Sequence, residues 1–430
     1  MDAGLSSKTT PVAAWEDQIR AVVGREHLRT ANAGDFASGI APKFVVEPGS
    51  DQEIAKTLAI ANESGAAVIP RGGGTKLEWG NPPTRTTLVL SMARLNRVIE
   101  HAWSDLTVTV EAGCTIQKLQ EMLAKHGQRI ALDPLWPERA TVGGVLSTND
   151  SGALRLRFGS LRDLIIGITL ALPDGTVASS GGKVVKNVAG YDLQKLATGA
   201  FGTLGVITRA VFRVHPLPKN SLTLTIAAPH AEQAQRVMLS IQASRLAHVA
   251  LQTSLGNQST PVIDVLFEGT TAGLIGQRAQ LENLIAPLTA TDAGPTVWTA
   301  RQGLFSLENS TEAAAVAKIS ILPVSIATTA ELLARTAHEQ KLPWRAAIQA
   351  TGIGWLTLAG TADGIFAALQ SLRVAIEDQG GSLVLLRRPA GMAEFDAWGN
   401  PGDALPLMRA VKQQFDPRGT LNPGRFVRGI

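Results

Sequence analysis

The sequence predicts an α+β protein in two parts: a glycine-rich anion-binding domain, then an antiparallel-sheet domain of ferredoxin-like order. Three observations predict it. Two glycine runs, Arg71-Gly72-Gly73-Gly74-Thr75-Lys76 and Thr141-Val142-Gly143-Gly144 with Ser147, Thr148 and Gly152 behind it, lie in the first half of the chain. Residues 317–387 read strand, helix, strand, strand, helix, strand, which is the ferredoxin-like order. Between them Pro216 and Pro218 mark a boundary, after which glycine turns thin out.

The elements follow in order. Segment 13–31 is expected as a helix, and Val45-Val46 as a short strand. Ser50-Asp51-Gln52-Glu53 is a capping box, and the helix it opens puts Ile54, Leu58 and Ala61 on one face before Gly65 stops it. The apolar run 66–70 is a strand that delivers the first glycine run at its end. Residues 88–90 and 106–111 read as strands, and 115–126 as a helix burying Ile116, Leu119 and Leu123. Strand 164–172 ends at the turn Pro173-Asp174-Gly175, and a further strand runs from Arg209 to Val214. In the second part, strands are expected at 317–324, 344–350, 353–359 and 382–387, with helices capped at Thr328 and over 362–378. Segment 222–285 is a weaker version of the same order, which suggests an internal duplication. A helix near 403–415 precedes the tail Phe415–Phe426, whose two proline turns either pack on a surface or bring Asn422 or Arg425 back to a ligand. The expected units are a helical extension (1–37), a first domain (38–218), an α+β cap (221–390) and a returning tail (391–430).

Composition excludes several classes. Of 430 residues, 45% are apolar and 18% charged, which is globular. The net charge of +4 is spread along the chain without the basic block of a nucleic-acid binder. Cys114 is the single cysteine, so no internal disulfide or iron–sulfur cluster is expected here. The histidines at 27, 101, 126, 215, 230, 248 and 338 never fall three or four apart, so no helical metal pair forms and no metal is expected. The N-terminus lacks a secretory pattern, and the apolar run 164–172 is too short to span a bilayer. A cytoplasmic protein is expected, with docking to a membrane-associated partner left open.

Consecutive glycines let backbone N–H groups converge on one point, and such a nest binds phosphate. Two nests favour a dinucleotide. The first run has no third glycine at Rossmann spacing and no helix after it, because Trp79-Gly80-Asn81-Pro82-Pro83 intervenes. Gly182-Lys183 is followed by Val184, so no P-loop exists there. There is no G-x-S-x-G elbow. Tyr191, the lone tyrosine, either supports structure or lines the site.

These residues resemble a known family. Arg71–Thr75, the 141–144 run with Gly152, Phe201-Gly202-Thr203-Leu204-Gly205-Val206-Ile207-Thr208 and the tail Asn422-Pro423-Gly424 are similar to the FAD-binding fold of the vanillyl-alcohol-oxidase/p-cresol-methylhydroxylase (PCMH-type) superfamily. Segment 182–192 resembles in particular the FAD-binding subunits of bacterial glycolate oxidases. The resemblance implies a PCMH-type domain of two α/β subdomains with a ferredoxin-like cap, and FAD as cofactor. Arg71, Gly72, Gly73, Gly74 and Thr75 would hold the diphosphate; Thr141, Val142, Gly143, Gly144, Ser147, Thr148 and Gly152 would line diphosphate and flavin; Gly205, Val206 and Ile207 would meet a ring by backbone; Asn422 would close the site. Lys76 would add a charge to the phosphates or stay solvated. Residues 70–85 contain no histidine, so non-covalent FAD is expected.

The resemblance also implies a flavin subunit working with a second flavin subunit and an iron–sulfur subunit to oxidise glycolate to glyoxylate. One departure matters. Related 2-hydroxyacid dehydrogenases carry H-x-G-D-G-N-x-H in the domain after the FAD domain, but the comparable stretch here is Gln349-Ala350-Thr351-Gly352-Ile353-Gly354-Trp355-Leu356. Removing a hydroxyl proton calls for a base or metal, and no catalytic residue is evident. Arg345, Arg387 and Arg388 either hold a carboxylate or sit on the surface. A self-sufficient 2-hydroxyacid dehydrogenase and a non-catalytic scaffold are the competing readings.

Overall fold

The computed structural model describes residues 12–35, 40–183, 190–257, 259–306 and 313–430. Residues 184–189 of the segment compared above, and most of the N-terminal stretch read for a signal, lie outside the described residues.

Two sheets share the first core. One has the strand order Leu28–Thr30, Phe44–Val46, Leu88–Ser91, Val68–Arg71, with the last three parallel. Helix Asp51–Ser64 covers it. Ser50 Oγ accepts from the Glu53 N–H at 3.2 Å, while Glu53 reaches back to the Gly49 N–H at 2.7 Å, one residue earlier than a reciprocal box requires. Gly65 ends the helix at φ 71°, where a side chain would be strained. The helix expected over 13–31 stops at Val23 instead. Gly24 turns at φ 93°, and Leu28–Thr30 joins the sheet edge through antiparallel pairing with Phe44–Val46.

The second sheet is antiparallel, in the order Val98–Ala102, Thr107–Glu111, Val206–Arg213, Ile165–Ala171, Val177–Gly181. Between the sheets lies the second glycine segment. It is a helix, Val142–Thr148, capped by Thr141 Oγ1 accepting from the Gly144 N–H, and not a turn. Its apolar side, Val142, Val145 and Leu146, joins Leu58, Val110 and Phe212 in one core. A side chain at Gly143 would meet Ala112 Cβ at 2.9 Å, so glycine lets the helix sit on the sheet.

The cap is one eight-stranded antiparallel sheet. Strands Asn220–Ala227, His248–Gly256, Ser259–Gly269 and Ala290–Asp292 with helices Ala231–Ala243 and Thr271–Ile285 form one βαββαβ half. Strands Ala313–Ser320, Trp344–Gln349, Ile353–Gly360 and Ser382–Arg387 with helices Ile326–Glu339 and Ala362–Asp378 form the other. His248–Gly256 pairs with Trp344–Gln349 and fuses them. The strand expected at 317–324 begins four residues earlier, because the alanines 313–315 pair fully despite their low strand propensity. Its helix begins at Ile326, so Thr328 lies inside the first turn and not at the cap. The four helices bury their apolar faces on one side of the sheet. The opposite side presents Val316, Ala347, Trp355 and Leu386 to Trp79, Leu135 and Phe201 of the first domain.

Helix Leu405–Phe415 leads into the tail, which does return. Val68 N–H donates to Thr420 O at 2.8 Å, and Asn422 N–H donates to Val68 O at 3.0 Å, so the tail extends the first sheet. Asp416 fixes the bend, accepting from Lys412 Nζ at 2.6 Å and from the N–H groups of Thr420 (2.9 Å) and Leu421 (2.8 Å). Removing one partner of a buried ion pair leaves an uncompensated charge and costs about 3–5 kcal/mol. Asp416→Ala should therefore destabilise the protein by about that amount in urea denaturation; a loss below about 1 kcal/mol would show that the bend holds without it.

Candidate functional site

Strand Val68–Arg71 delivers the first glycine run to the mouth of a cleft between the two N-terminal sheets. Arg71, at the cleft wall, is tied to a carboxylate. Its Nη1 donates to Asp35 Oδ1 at 2.9 Å, and Asp35 also takes two bonds of 2.7 Å from Arg29. The Arg29 hydrogen bonds hold the Asp35 carboxyl well below the usual carboxylate range, against the opposing cost of burial. This pins the strand end from which the run departs.

Close approach, more than backbone angle, explains the glycines. A Cβ on Gly72 would lie 1.9 Å from Thr141 Oγ1, and one on Gly73 would lie 1.7 Å from Arg139 O. Only Gly74 has a positive φ, 72°. The run and the start of helix Val142–Thr148 are thus packed backbone to backbone. Among the described residues, none of the N–H groups of Gly72, Gly73, Gly74 and Thr75 donates to a protein acceptor.

The cleft brings together Arg71–Lys76, Thr141, Gly143, Gly144, Ser147, Thr148, Gly205, Val206, Ile207 and Asn422. Two expected residues lie outside its lining. Val142 points into the core between the sheets. Gly152 is used structurally, its N–H donating to Asp133 Oδ1 at 3.0 Å. Phe201, Gly202, Met92, Leu77 and Arg425 also line the cleft.

Lys76 is neither solvated nor free. Its Nζ lies 3.1 Å from Asp150 Oδ2, and it sits 5.7 Å from the ring centres of both Trp79 and Trp136. Asp150 also accepts from Arg301 Nη1 at 2.7 Å and from the Leu135 N–H at 2.9 Å. Burial opposes ionisation of Asp150, but Arg301 and Lys76 outweigh it and hold its pKa below the ordinary value. Arg301 further donates to Ser151 O and Asp133 O, and its guanidinium lies 4.6 Å from the centre of the Trp355 ring. Sequence reasoning missed both partners. Asp150 was visible as a charge inside an otherwise apolar, glycine-rich run. Arg301 carried no signal at all, because it meets Asp150 only through the fold.

Next to the cleft, between the first domain and the cap sheet, is a chamber of about 320 Å³. Thr148 and Phe201 line both spaces. Lys318 and Arg155 line the chamber, and neither forms an ion pair among the described residues. Burial lowers the Lys318 pKa to about 8 and also lowers that of Arg155. Asn149 Oδ1 is buried there without a partner.

The remaining candidates lie elsewhere. Tyr191 is 89% exposed and lines neither space. Arg345, Arg387 and Arg388 donate to the carbonyls of Gly303, Phe305 and Phe395. Cys114 is buried in the core. Among the described residues no cluster of histidine, cysteine, aspartate or glutamate could hold a metal ion, and no helix is long and apolar enough to cross a membrane.

Residues 42–181 match the FAD binding domain family, and residues 395–426 match the C-terminal domain of FAD linked oxidases. The chain overlays p-cresol methylhydroxylase with a TM-score of 0.77 at 14% identity, covering 96% of each chain. It overlays alkyldihydroxyacetonephosphate synthase with a TM-score of 0.76 at 18% identity, covering 96% of this chain and 86% of that one. The chain shares the fold of these two proteins, and within it residues 42–181 are an FAD binding domain by sequence. Among curated proteins, glycolate oxidase subunit GlcD of Bacillus subtilis is 31% identical over 245 residues, 55% of this chain and 52% of that protein. D-lactate dehydrogenase of Archaeoglobus fulgidus is 32% identical over 56% of this chain and 55% of its own length. The mitochondrial D-lactate dehydrogenase (cytochrome) of Arabidopsis thaliana is 26% identical over 90% of this chain and 73% of its own. The chain thus spans about half the length of two of these three relatives.

The two domain matches indicate FAD, and the cleft fits it. Four N–H groups without acceptors suit a diphosphate, and the unpartnered Asn422 Oδ1 and Arg425 Nε suit a ligand with donors and acceptors of its own. Gly73→Ala forces the glycine run away from Arg139, and should weaken FAD binding by about tenfold or more. Flavin fluorescence titration of the purified variant measures this; unchanged affinity would mean that the close approach is dispensable.

Proposed function

We propose that the chain is a flavoprotein subunit of a multi-subunit glycolate oxidase, holding FAD non-covalently in the cleft and a small 2-hydroxy acid in the adjoining chamber. The observation that carries this reading is the pair of partly buried cations, Lys318 and Arg155, facing the chamber without ion-pair partners among the described residues. A buried charge is costly without a counter-ion, and a substrate carboxylate would supply one. The similarity to glycolate oxidase subunit GlcD and to D-lactate dehydrogenases supports the same substrate class.

FAD, when bound, supplies a two-electron acceptor. The Gly72–Thr75 amides would hold its diphosphate, and the absence of histidine, cysteine and tyrosine from residues 70–85 supports a cofactor released intact by denaturation. Lys318 and Arg155 would orient the carboxylate from the cap side and from the first domain. Trp79, Phe201 and Trp398 would exclude water around it. Among its described residues the chamber contains no aspartate, glutamate or histidine to take the hydroxyl proton. That supports cooperation with a second flavin subunit and an iron–sulfur subunit over a self-sufficient enzyme.

Two measurements test this. In the assembled complex, glycolate should bleach the flavin of this chain, whereas the chain alone with an artificial acceptor should turn over glycolate and D-lactate slowly or not at all. Robust turnover by the isolated chain would overturn the subunit reading, and a flavin that never bleaches in the complex would favour a scaffold. Lys318 is charged below about pH 8 and neutral above it, with Asp150 favouring its charge and Arg155 and Arg301 opposing it. Carboxylate affinity should therefore be greatest below pH 8 and fall as the pH rises through that value. Lys318→Met should weaken binding and abolish that step; a step that survives the substitution belongs to another group.

A further inference from the structure

Three cations line the FAD cleft: Arg71, Lys76 and Arg425. Two are matched, Arg71 by Asp35 at 2.9 Å and Lys76 by Asp150 at 3.1 Å. Arg425 has no carboxylate partner among the described residues. Its Nη2 donates to Leu77 O at 2.6 Å and Trp79 O at 2.9 Å, and its Nε is buried without a partner. Burial lowers its pKa to about 10, so it stays charged at neutral pH. The fold holds this charge firmly in place. Arg425 O accepts from the Trp398 indole at 2.9 Å and from the Asn81 N–H at 3.1 Å.

Its position selects which part of the cofactor it meets. The glycine run serves the diphosphate with four N–H groups. Arg425 lies beyond it, bonded to Leu77 and Trp79. Trp79 and Trp398, its two indole neighbours, both line the substrate chamber, and Phe201 beside them lines cleft and chamber alike. Arg425 therefore stands at the end of the cleft that opens to the chamber, where a flavin ring must lie to reach a substrate.

We propose that Arg425 is the fixed positive charge that stabilises negative charge on the ring of bound FAD, and so sets how readily the flavin accepts electrons. This rests on FAD occupying the cleft and on its ring facing the chamber. A charge near the ring is one of the levers by which a protein tunes a flavin. Arg71 and Lys76 cannot serve, because each is neutralised by its own carboxylate.

Sulfite tests this without turnover, because its addition to flavin places a negative charge on the ring. Arg425→Gln removes the charge and keeps a donor for Leu77 O. The FAD-loaded variant should bind sulfite about tenfold or more weakly than wild type, as expected for losing one charge-assisted contact. Its midpoint potential should also be more negative. Arg425→Lys should retain most of both at neutral pH. If FAD affinity falls in Arg425→Gln while sulfite affinity and potential per bound flavin are unchanged, the charge serves the phosphates and the proposal is overturned. A wild-type protein that takes up no FAD would instead refute the cleft assignment. Should Arg425→Gln not fold, Arg425→Lys decides the matter by pH. A buried lysine loses its charge at lower pH than arginine, so its sulfite affinity should fall with rising pH where wild type stays level. Identical profiles overturn the proposal.

Discussion

The arrangement of this protein turns on one buried carboxylate. Asp150 receives Lys76 from the glycine run, the Leu135 N–H from the loop before helix Val142–Thr148, and Arg301 from the cap. Three segments far apart in sequence are held at one point. Such a set is weak evidence for stability, since apolar replacements of buried ion pairs are often neutral or better. What it supplies is position. Asp150 pairs with Lys76 at the cleft wall, and Arg301 and Lys76 together favour its ionised form against the cost of burial. The cap is therefore docked through the same charge that completes the cleft wall. The cleft and the chamber are coupled by electrostatics as well as by the shared residues Thr148 and Phe201.

The same logic of matched charge orders the rest of the site. Asp35 holds Arg71 and Asp416 holds Lys412, so the strand end and the tail bend are fixed by ion pairs. Lys318, Arg155 and Arg425 have no ion-pair partner among the described residues, and each faces cleft or chamber. In a low-dielectric interior an unmatched charge is costly. Its retention at three neighbouring positions supports a site shaped for anionic ligands, with no metal needed to balance them.

Local sequence signals carried much of the fold. The capping serine Ser50, the stop at Gly65, the alternation in 107–111 and the apolar stripe Ile365, Leu369, Leu372 and Ile376 each act over a few residues, and the elements formed where those signals stood. The errors came where tertiary contacts override local preference. The alanines at 313–315 pair as a strand because Ile353–Gly360 lies beside them. The 142–148 segment is helical because it packs between two sheets, whatever its glycines prefer alone. The positions lining the cleft were readable because glycine has few other reasons to recur three times at a strand end. Their immediate cause was not: Gly72 and Gly73 answer to Thr141 and Arg139, nearly seventy residues onward. The Asp150–Arg301 pair and the chamber cations had no local signature, because a charged residue in a sequence does not announce whether its partner is a solvent molecule or another chain segment.

The two halves of the cap serve the chamber differently. Its two βαββαβ halves place four helices on one side of a continuous sheet. On the other side they differ. In the first half Asp264 takes bonds from Thr225 and Gln252, and Gln252 also donates to Val297 O, so the segment Pro295–Thr299 covers a polar, internally satisfied surface. In the second half Lys318, Ser320, Ile353, Ser382, Val384 and Leu386 line the open chamber. Trp355 from the same half is buried beneath Arg301 and Lys318. Equivalent architecture thus serves two ends: one half is sealed against the first domain, with Arg129 and Glu268 joined across that seam, and the other is left concave beside the flavin cleft. The Arg129–Glu268 pair ties the sealed half to the first domain, and the continuous sheet carries that anchoring across to the strand that bears Lys318. Any site assembled from two domains gains from such an anchor, because a displacement of even one ångström at a reacting centre can cost about two orders of magnitude in rate.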